Sequence, residues 1–341
     1  MTFDFTWMIG GPQGSGIETA ANIFSQVSAK LGYQVFGKRE YYSNIKGMHS
    51  YFAVRISDQN IQSNVMGIDM LVAFDAETLL RHAEDVVKNG AIIYDPIILD
   101  TKLDQIPFLE HGEKSRMLEF LASNGKEPKV GSFLELAKAN GVNDYSISFR
   151  DVLSEIANEQ NNPKLAGMKK MFNVMGVSFS LGIMKAPIQP LLEAIESVFS
   201  KKPSIIDLNK NTANYSYNFS SAKFMNFDHI INQIDKKQGT ILVQGHQGSA
   251  LGKIVCGCRF QSYYPITPAS DESEFLESNE ILEIKEDRPG STTVIQTEDE
   301  IAAMGMAIGA SLAGSRSSTS TSGPGFSLMA EMLSWTGINE T

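Results

Sequence analysis

A short apolar run, residues 5–10, meets the turn Gly10-Gly11-Pro12-Gln13-Gly14-Ser15-Gly16, and residues 17–31 then carry apolar side chains at helical spacing. Strand, glycine turn and helix in that order open a doubly wound α/β domain. The unit constrains the rest of its domain, because a strand buried on both faces needs parallel neighbours and covering helices. Apolar runs at 51–56, 70–74 and 91–94 supply further strands. Helices are expected over 76–88, 115–122, 133–139, 149–158, 168–184 and 190–199.

Between residues 200 and 238 lysine, serine and asparagine become frequent. That composition predicts a linker or crossing segment between a first α/β domain (1–199) and a second (239–341). The second series is expected to begin with a strand at 240–244, a glycine turn at 245–248 and a helix at 249–257. Strands at 259–266, 292–296 and 317–321 come next, with helices at 271–277, 298–313 and after Ser322-Gly323-Pro324-Gly325. So few strands fall short of the roughly five or six of an ordinary sheet. An open edge on a buried parallel sheet is a liability, so the second domain is expected to be incomplete. Either another chain finishes it, or the natural chain is longer.

A length of 341 residues is too great for one ordinary core and agrees with two domains. No segment offers the roughly 18 apolar residues of a membrane span, and residues 1–11 lack the features of a secretory leader. The net charge of −10 argues against a general nucleic-acid binder. The two cysteines, Cys256 and Cys258, cannot alone ligate an iron–sulfur cluster, which needs four ligands. They make no disulfide framework either, which points to a reducing cytoplasm. Two small residues buried at a helix end are the plainer expectation for them.

Five stretches can carry chemistry. Tyr264-Pro265-Ile266-Thr267-Pro268 lies where a strand gives way to a helix. Pro268 suits a first helical position, and Thr267 then falls at the N-cap, facing a site for a carboxylate. The glycine turn at 10–16 could approach a phosphate, but it lacks the GK[ST] ending of a P-loop and the G-x-G-x-x-G spacing, so a packing turn is the favoured reading. In the segment REYYSNIKGMHS (39–50), Lys46 and His49 could meet an acidic ligand, and Tyr41 and Tyr42 could pack or contact another subunit. Thr297 and Glu300 match a capping box, with Asp299 complementing the helix dipole. Small residues stand at 302, 303, 305, 307, 309, 310, 313 and 314, which allow another helix or a flat ligand to come close. Glu298, at the mouth of such a dry region, could share a proton with a ring nitrogen and act in general acid–base work. Finally, Ser322 to Phe326 makes a close backbone turn that can line a cleft at the carboxyl ends of strands.

These motifs resemble a known family. CGCRFQSYYPITPASDESEFLE, VIQTEDEIAAMGMAIGASLAG and STSTSGPGFSLMAEMLSW look like the pyrimidine-binding domain of 2-oxoacid:ferredoxin oxidoreductases, and YPITP (Tyr264, Pro265, Ile266, Thr267, Pro268) is the signature of their alpha subunit. The first half, with its glycine turn and REYYSNIKGMHSYFAVRIS, resembles the gamma subunit, although Pro12 and Ser15 depart from the commoner turn. Gamma part then alpha part is the order of the fused large subunit in the two-subunit archaeal type.

The resemblance implies an α/β fold: a gamma-type domain followed by a thiamine-diphosphate-binding, pyrimidine-type doubly wound domain. It implies CoA-dependent oxidative decarboxylation of 2-oxoacids to acyl-CoA and CO2, with electrons passing through [4Fe–4S] clusters to ferredoxin. Glu298 corresponds to the glutamate that hydrogen-bonds the aminopyrimidine N1′, and Thr267 to the threonine beside the substrate carboxylate. Tyr264, Pro265 and Ile266 complete that cofactor wall. The diphosphate with its Mg2+, and the clusters, belong in this family to a beta subunit, so a heterodimer or a dimer of heterodimers is implied. The family's arginine for the substrate carboxylate would lie beyond Thr341, another reason to expect a longer natural chain. Two other readings stand beside this one: a non-catalytic assembly subunit in which the 264–268 turn serves packing, and a nucleotide-binding module using the 10–16 turn.

Overall fold

The computed structural model describes residues 2–41, 49–107, 109–285 and 288–341. They fall into two compact units, 1–240 and 241–341.

The first unit runs β1 (Asp4–Pro12), α1 (Ile17–Lys30), β2 (Gln34–Tyr41), β3 (His49–Ser57), β4 (Ile68–Ala73), α2 (Ala76–His82), β5 (Val86–Tyr94), α3 (His111–Ser123), α4 (Val130–Ala139), β6 (Asn143–Ser146), α5 (Phe149–Glu159), α6 (Phe172–Ile183), α7 (Gln189–Val198) and α8 (Ile206–Lys223). The sheet order is β2-β3-β1-β4-β5-β6. Strands β1, β4, β5 and β6 are parallel, while β3 pairs antiparallel with both β1 and β2. Alternation along each strand divides the apolar side chains between two cores. Phe5, Trp7, Ile9, Met70, Val72 and Ile93 face α1, α6 and α7, whereas Met8, Leu71, Ala73 and Ile92 face α2 and α4. Trp7 stacks on Phe24 at 4.4 Å, and its Nε1 donates to Ser180 Oγ at 2.9 Å.

Four elements depart from the sequence expectation, and the first is β2, which no expected strand anticipates. Helix α2 stops at His82, because residues 86–94 join the sheet beside β4 instead of continuing the helix. The polar strand β6, NDYS, has no counterpart among the expected strands. Residues 206–223, within the expected linker, form a helix whose buried face carries Asn209, Thr212, Ala213, Ser216 and Ser220. Asn209 donates to the Ile205 carbonyl at 2.7 Å and Thr212 to the Leu208 carbonyl at 2.9 Å, so these polar side chains are satisfied by their own helix and can be buried. Gly182 of α6 lets α8 come close: a Cβ there would lie 2.5 Å from the Tyr217 carbonyl oxygen and nearer still to Ser220 Oγ.

The second unit runs α9 (Gly245–Val255), β7 (Phe260–Tyr263), α10 (Ser270–Glu277), β8 (Ile281–Lys285), β9 (Arg288–Ser291), β10 (Thr293–Gln296), α11 (Glu300–Leu312), β11 (Ser317–Ser320), α12 (Gly323–Leu328) and α13 (Ala330–Asn339). Strand β7 is central in a parallel sheet ordered β10-β7-β11, and β8 and β9 form a separate antiparallel pair outside the sequence expectation. The strand expected at 240–244 is absent: no ladder reaches this run, and Ile241 is 75% exposed. A strand needs partners for its backbone groups, and none of β7, β10 and β11 pairs with this run.

The sheet itself is polar for a parallel one. Ser262 donates to the Ala303 carbonyl and Ser317 to the Ala307 carbonyl, each at 2.6 Å, which draws α11 onto one face. The small side chains of Ala303 and Ala307 make that approach possible, and both are buried.

Candidate functional site

The site is built by register. Tyr263 lies level with Gln296 on one side and with Ser320 on the other, so the chain leaves the sheet side by side at 264, 297 and 321. The backbone N–H of Thr297 donates to the Tyr263 carbonyl at 2.8 Å, which ties the second departure to the first. Tyr264 to Pro268, Thr297 and Glu298, and Thr321 to Phe326 therefore share the carboxyl edge of three parallel strands. Ligands of open α/β sheets bind at that edge.

Thr267 and Pro268 do not cap the helix as expected. The cap position is Ala269, the helix begins at Ser270, and Thr267-Pro268 forms a cis peptide in the turn before it. Ser270 N–H donates to the Ile266 carbonyl at 3.0 Å and Asp271 N–H to the Pro268 carbonyl at 3.3 Å. Asp271 and Glu272 already place negative charge in the first turn. The helix start is thus not a free anion site, and Thr267, exposed on the turn, offers its hydroxyl alone.

The capping box also reads differently. Asp299 is the N-cap of α11 and accepts from the Ala302 N–H at 2.6 Å. The Thr297 hydroxyl turns to carbonyls instead, that of Asp299 at 2.8 Å and that of Tyr263 at 3.1 Å. Glu300 is buried, and its Oε1 lies 2.7 Å from where a Cβ on Gly325 would sit, so the glycine turn of α12 closes over it. Glu298 is exposed in this chain and not enclosed in the dry region that the small residues of α11 suggested.

The donor set suits a flat heteroaromatic ring. Glu298 presents a carboxylate, Thr267 a hydroxyl, and the aromatic side chains of Tyr264 and Phe326 are exposed at the same edge. Thr321 Oγ1 is buried there with no partner. Among the described residues no three metal-ligating side chains gather. A carboxylate, a hydroxyl and exposed aromatic faces at one edge are groups that suit the aminopyrimidine ring of thiamine diphosphate.

Sequence reading missed two buried residues below the edge, Gln261 and Glu272. For Gln261 the available signal was a pair of polar residues, Gln261 and Ser262, inside a short strand flanked by aromatic residues. Of the cysteines, Cys258 is buried and Cys256 is exposed.

In the first unit the glycine turn packs against α6 at Gly16. Gly14 and Gly16 have φ of 81° and 86°, and a Cβ on Gly16 would lie 2.6 Å from Asn173 Nδ2. A cleft of about 310 Å3 beside it is lined by residues including Gln13, Arg39 and Glu40. His49 is not available to an acidic ligand: it is buried against His82. Tyr42 and Lys46 lie outside the described residues. No helix among the described residues is long and apolar enough to cross a membrane.

Residues 6–219 match the family model described as pyruvate ferredoxin/flavodoxin oxidoreductase. Residues 251–341 match that described as the thiamine-diphosphate-binding domain of pyruvate flavodoxin/ferredoxin oxidoreductase. The chain is similar to the 2-oxoacid:ferredoxin oxidoreductase 1 subunit alpha of Sulfurisphaera tokodaii, 40% identical over 340 residues, which covers 98% of this chain and 53% of the relative. Its similarity to the 2-oxoacid:ferredoxin oxidoreductase subunit alpha of Saccharolobus solfataricus is 38% identity over 341 residues, 98% of this chain and 52% of the relative. The chain thus spans about half the length of the curated relatives it matches. In fold it resembles the 2-oxoglutarate:ferredoxin oxidoreductase from Magnetococcus marinus, solved with 2-oxoglutarate, coenzyme A and succinyl-CoA bound. The TM-score is 0.65 at 24% identity, over 97% of this chain and 49% of that one. The first family match alone takes in more than half of the residues, and with it the chain belongs to the pyruvate ferredoxin/flavodoxin oxidoreductase family.

Proposed function

We propose that the chain is the gamma–alpha part of a thiamine-diphosphate-dependent 2-oxoacid:ferredoxin oxidoreductase. The assembled enzyme converts a 2-oxoacid and coenzyme A to acyl-CoA and CO2 and reduces ferredoxin. The observation that carries this reading is the meeting of the 264–268 turn, Glu298 and the 321–326 turn at one carboxyl edge, inside the segment that matches a thiamine-diphosphate-binding family model. The curated relatives named as 2-oxoacid:ferredoxin oxidoreductase alpha subunits support it.

Thiamine diphosphate, when bound, supplies the nucleophilic carbon and the electron sink that decarboxylation requires. Glu298 would hold a proton against the pyrimidine ring nitrogen, and Tyr264, Pro265 and Ile266 would form the wall beside that ring. Thr267 would donate its hydroxyl to the substrate carboxylate. Mg2+ and the [4Fe–4S] clusters would be held by a beta subunit, with which this chain would work in a heterodimer or a dimer of heterodimers.

Glu298→Ala in the assembled enzyme tests the assignment. Loss of 2-oxoacid-dependent ferredoxin or dye reduction by roughly a hundredfold or more, with the subunits still co-purifying, is expected. Unchanged activity would remove Glu298 from the site.

A further inference from the structure

The turn at 264–269 runs between β7 and α10, and one largely buried polar cluster joins these two elements. Gln261, near the end of β7, is fully buried. Its Nε2 donates to Ser273 Oγ and to Ser320 Oγ, each at 3.0 Å. Its Oε1 accepts from Lys253 Nζ at 3.1 Å and from the Ser318 hydroxyl. A primary amide has two donors and two acceptor positions, so every one of them is used. Reversing the amide would set an NH2 group against the ammonium, which fixes its orientation. Lys253 also pairs with Glu272 Oε2 at 2.7 Å, and Glu272 Oε1 accepts from Ser249 at 2.5 Å.

The cluster joins four elements around the turn. Gln261 stands two residues before β7 ends, Glu272 and Ser273 stand in the first turn of α10, Ser249 and Lys253 come from α9, and Ser318 and Ser320 come from β11. Burying an amide in a parallel sheet, beside an ion pair between α9 and α10 that keeps little solvent contact, is costly, and an apolar interior would be at least as stable. What a fully satisfied polar cluster adds is a single arrangement, since any slip of α10 against β7 leaves buried groups unpaired.

We infer that Gln261, with the Lys253–Glu272 pair, positions the Tyr264–Pro268 turn so that Thr267 meets the substrate in one geometry. These residues act through the turn and touch no substrate themselves. The inference rests on the reading of Thr267 as the group that binds the 2-oxoacid carboxylate.

The test uses the full-length chain assembled with its partner subunits, steady-state kinetics with 2-oxoacid and coenzyme A varied separately, and a double-mutant cycle. Gln261→Leu is expected to raise KM for the 2-oxoacid roughly tenfold while KM for coenzyme A stays unchanged. Combined with Thr267→Ala, it should add little beyond Thr267→Ala alone, because both changes remove the same contact. Glu272→Gln, which keeps shape and hydrogen bonding, should shift the 2-oxoacid KM less and in the same direction, and it serves if Gln261→Leu does not fold. An unchanged 2-oxoacid KM in these variants, or fully multiplicative effects with Thr267→Ala, would overturn the positioning role. A lower kcat with both KM values intact, the mark of a reduced active fraction, would do the same. If Thr267→Ala itself leaves the 2-oxoacid KM unmoved, the substrate-binding reading fails and the inference with it; if only the Gln261 and Glu272 variants are silent, that reading survives and the inference does not.

Discussion

His49 and His82 meet Nε2 to Nε2 at 3.0 Å, both buried in the first unit. His82 Nδ1 lies 3.3 Å from Asp85 Oδ2. If that nitrogen carries the proton, His82 Nε2 is the acceptor and His49 Nε2 the donor, which leaves His49 Nδ1 bare, and it is indeed buried without a partner. Burial, then the neighbouring His82 and Arg81, hold the His49 pKa down at about 3, against an ordinary 6.5.

Acid should therefore weaken the first unit. Below pH 6.5 the unfolded chain takes up a proton at His49 that the folded chain refuses until about pH 3. Stability from this group is whole above pH 6.5 and falls by up to about 1.4 kcal/mol per pH unit as pH drops through that window. Urea unfolding at pH 7.5 and pH 5 should show the loss, and His49→Phe should reduce it by removing this group from the carboxylates that titrate nearby. An identical pH slope in the variant would absolve His49.

Gly182→Ala should destabilise the first unit by about 1–3 kcal/mol, since the added methyl meets the α8 backbone at Tyr217 and the overpacked helices must part. Thermal unfolding measures this. A neutral substitution would mean that α8 is not held against α6.

Two neighbouring glycines in the second unit should behave oppositely. Gly325→Ala puts a methyl 2.7 Å from Glu300 Oε1 and closer to Thr321 Oγ1, whereas a methyl on Gly323 has nothing within 4 Å. Calorimetry should show weaker thiamine diphosphate binding to the assembled enzyme for Gly325→Ala, and roughly unchanged binding for Gly323→Ala. Equal effects would separate the α12 turn from the site.

Thr267→Val keeps the shape of the side chain and deletes its hydroxyl, while Thr267→Ser does the reverse. If the hydroxyl binds the 2-oxoacid carboxylate, valine should raise KM for the acid roughly tenfold and serine much less, a difference equal to one charge-assisted hydrogen bond. Equal KM values in initial-rate assays would assign Thr267 to turn geometry alone.

The elements most legible in the sequence were those whose local pattern and tertiary role agree. The run at 5–10, its glycine turn and the helix at 17–31 are present because apolar spacing and φ-positive glycines allow little else there. The helix at 206–223 was hidden because its buried face is built of serine, threonine and asparagine, of which Asn209, Thr212 and Ser220 donate to carbonyls of their own helix. The run at 240–244 misled for the converse reason: its residues favour a strand, but no partner strand receives it. At the site, the types Thr267, Glu298 and Gly325 were readable. The cap was not, because Asp299 and Thr297 are both good caps and only the pairing of Thr297 with Tyr263 decides between them.

The sequence by itself determined the α/β class, the motif residues at 264–268 and 298, and the family they belong to, since these depend on local periodicity and on residue identity. Only tertiary structure decided that residues 264, 297 and 321 leave the sheet side by side, that Glu300 is covered while Glu298 is open, and that Gln261 is held by four partners from three other elements. Register and partner choice are relations between segments far apart in the chain, and each segment's own propensities leave them open.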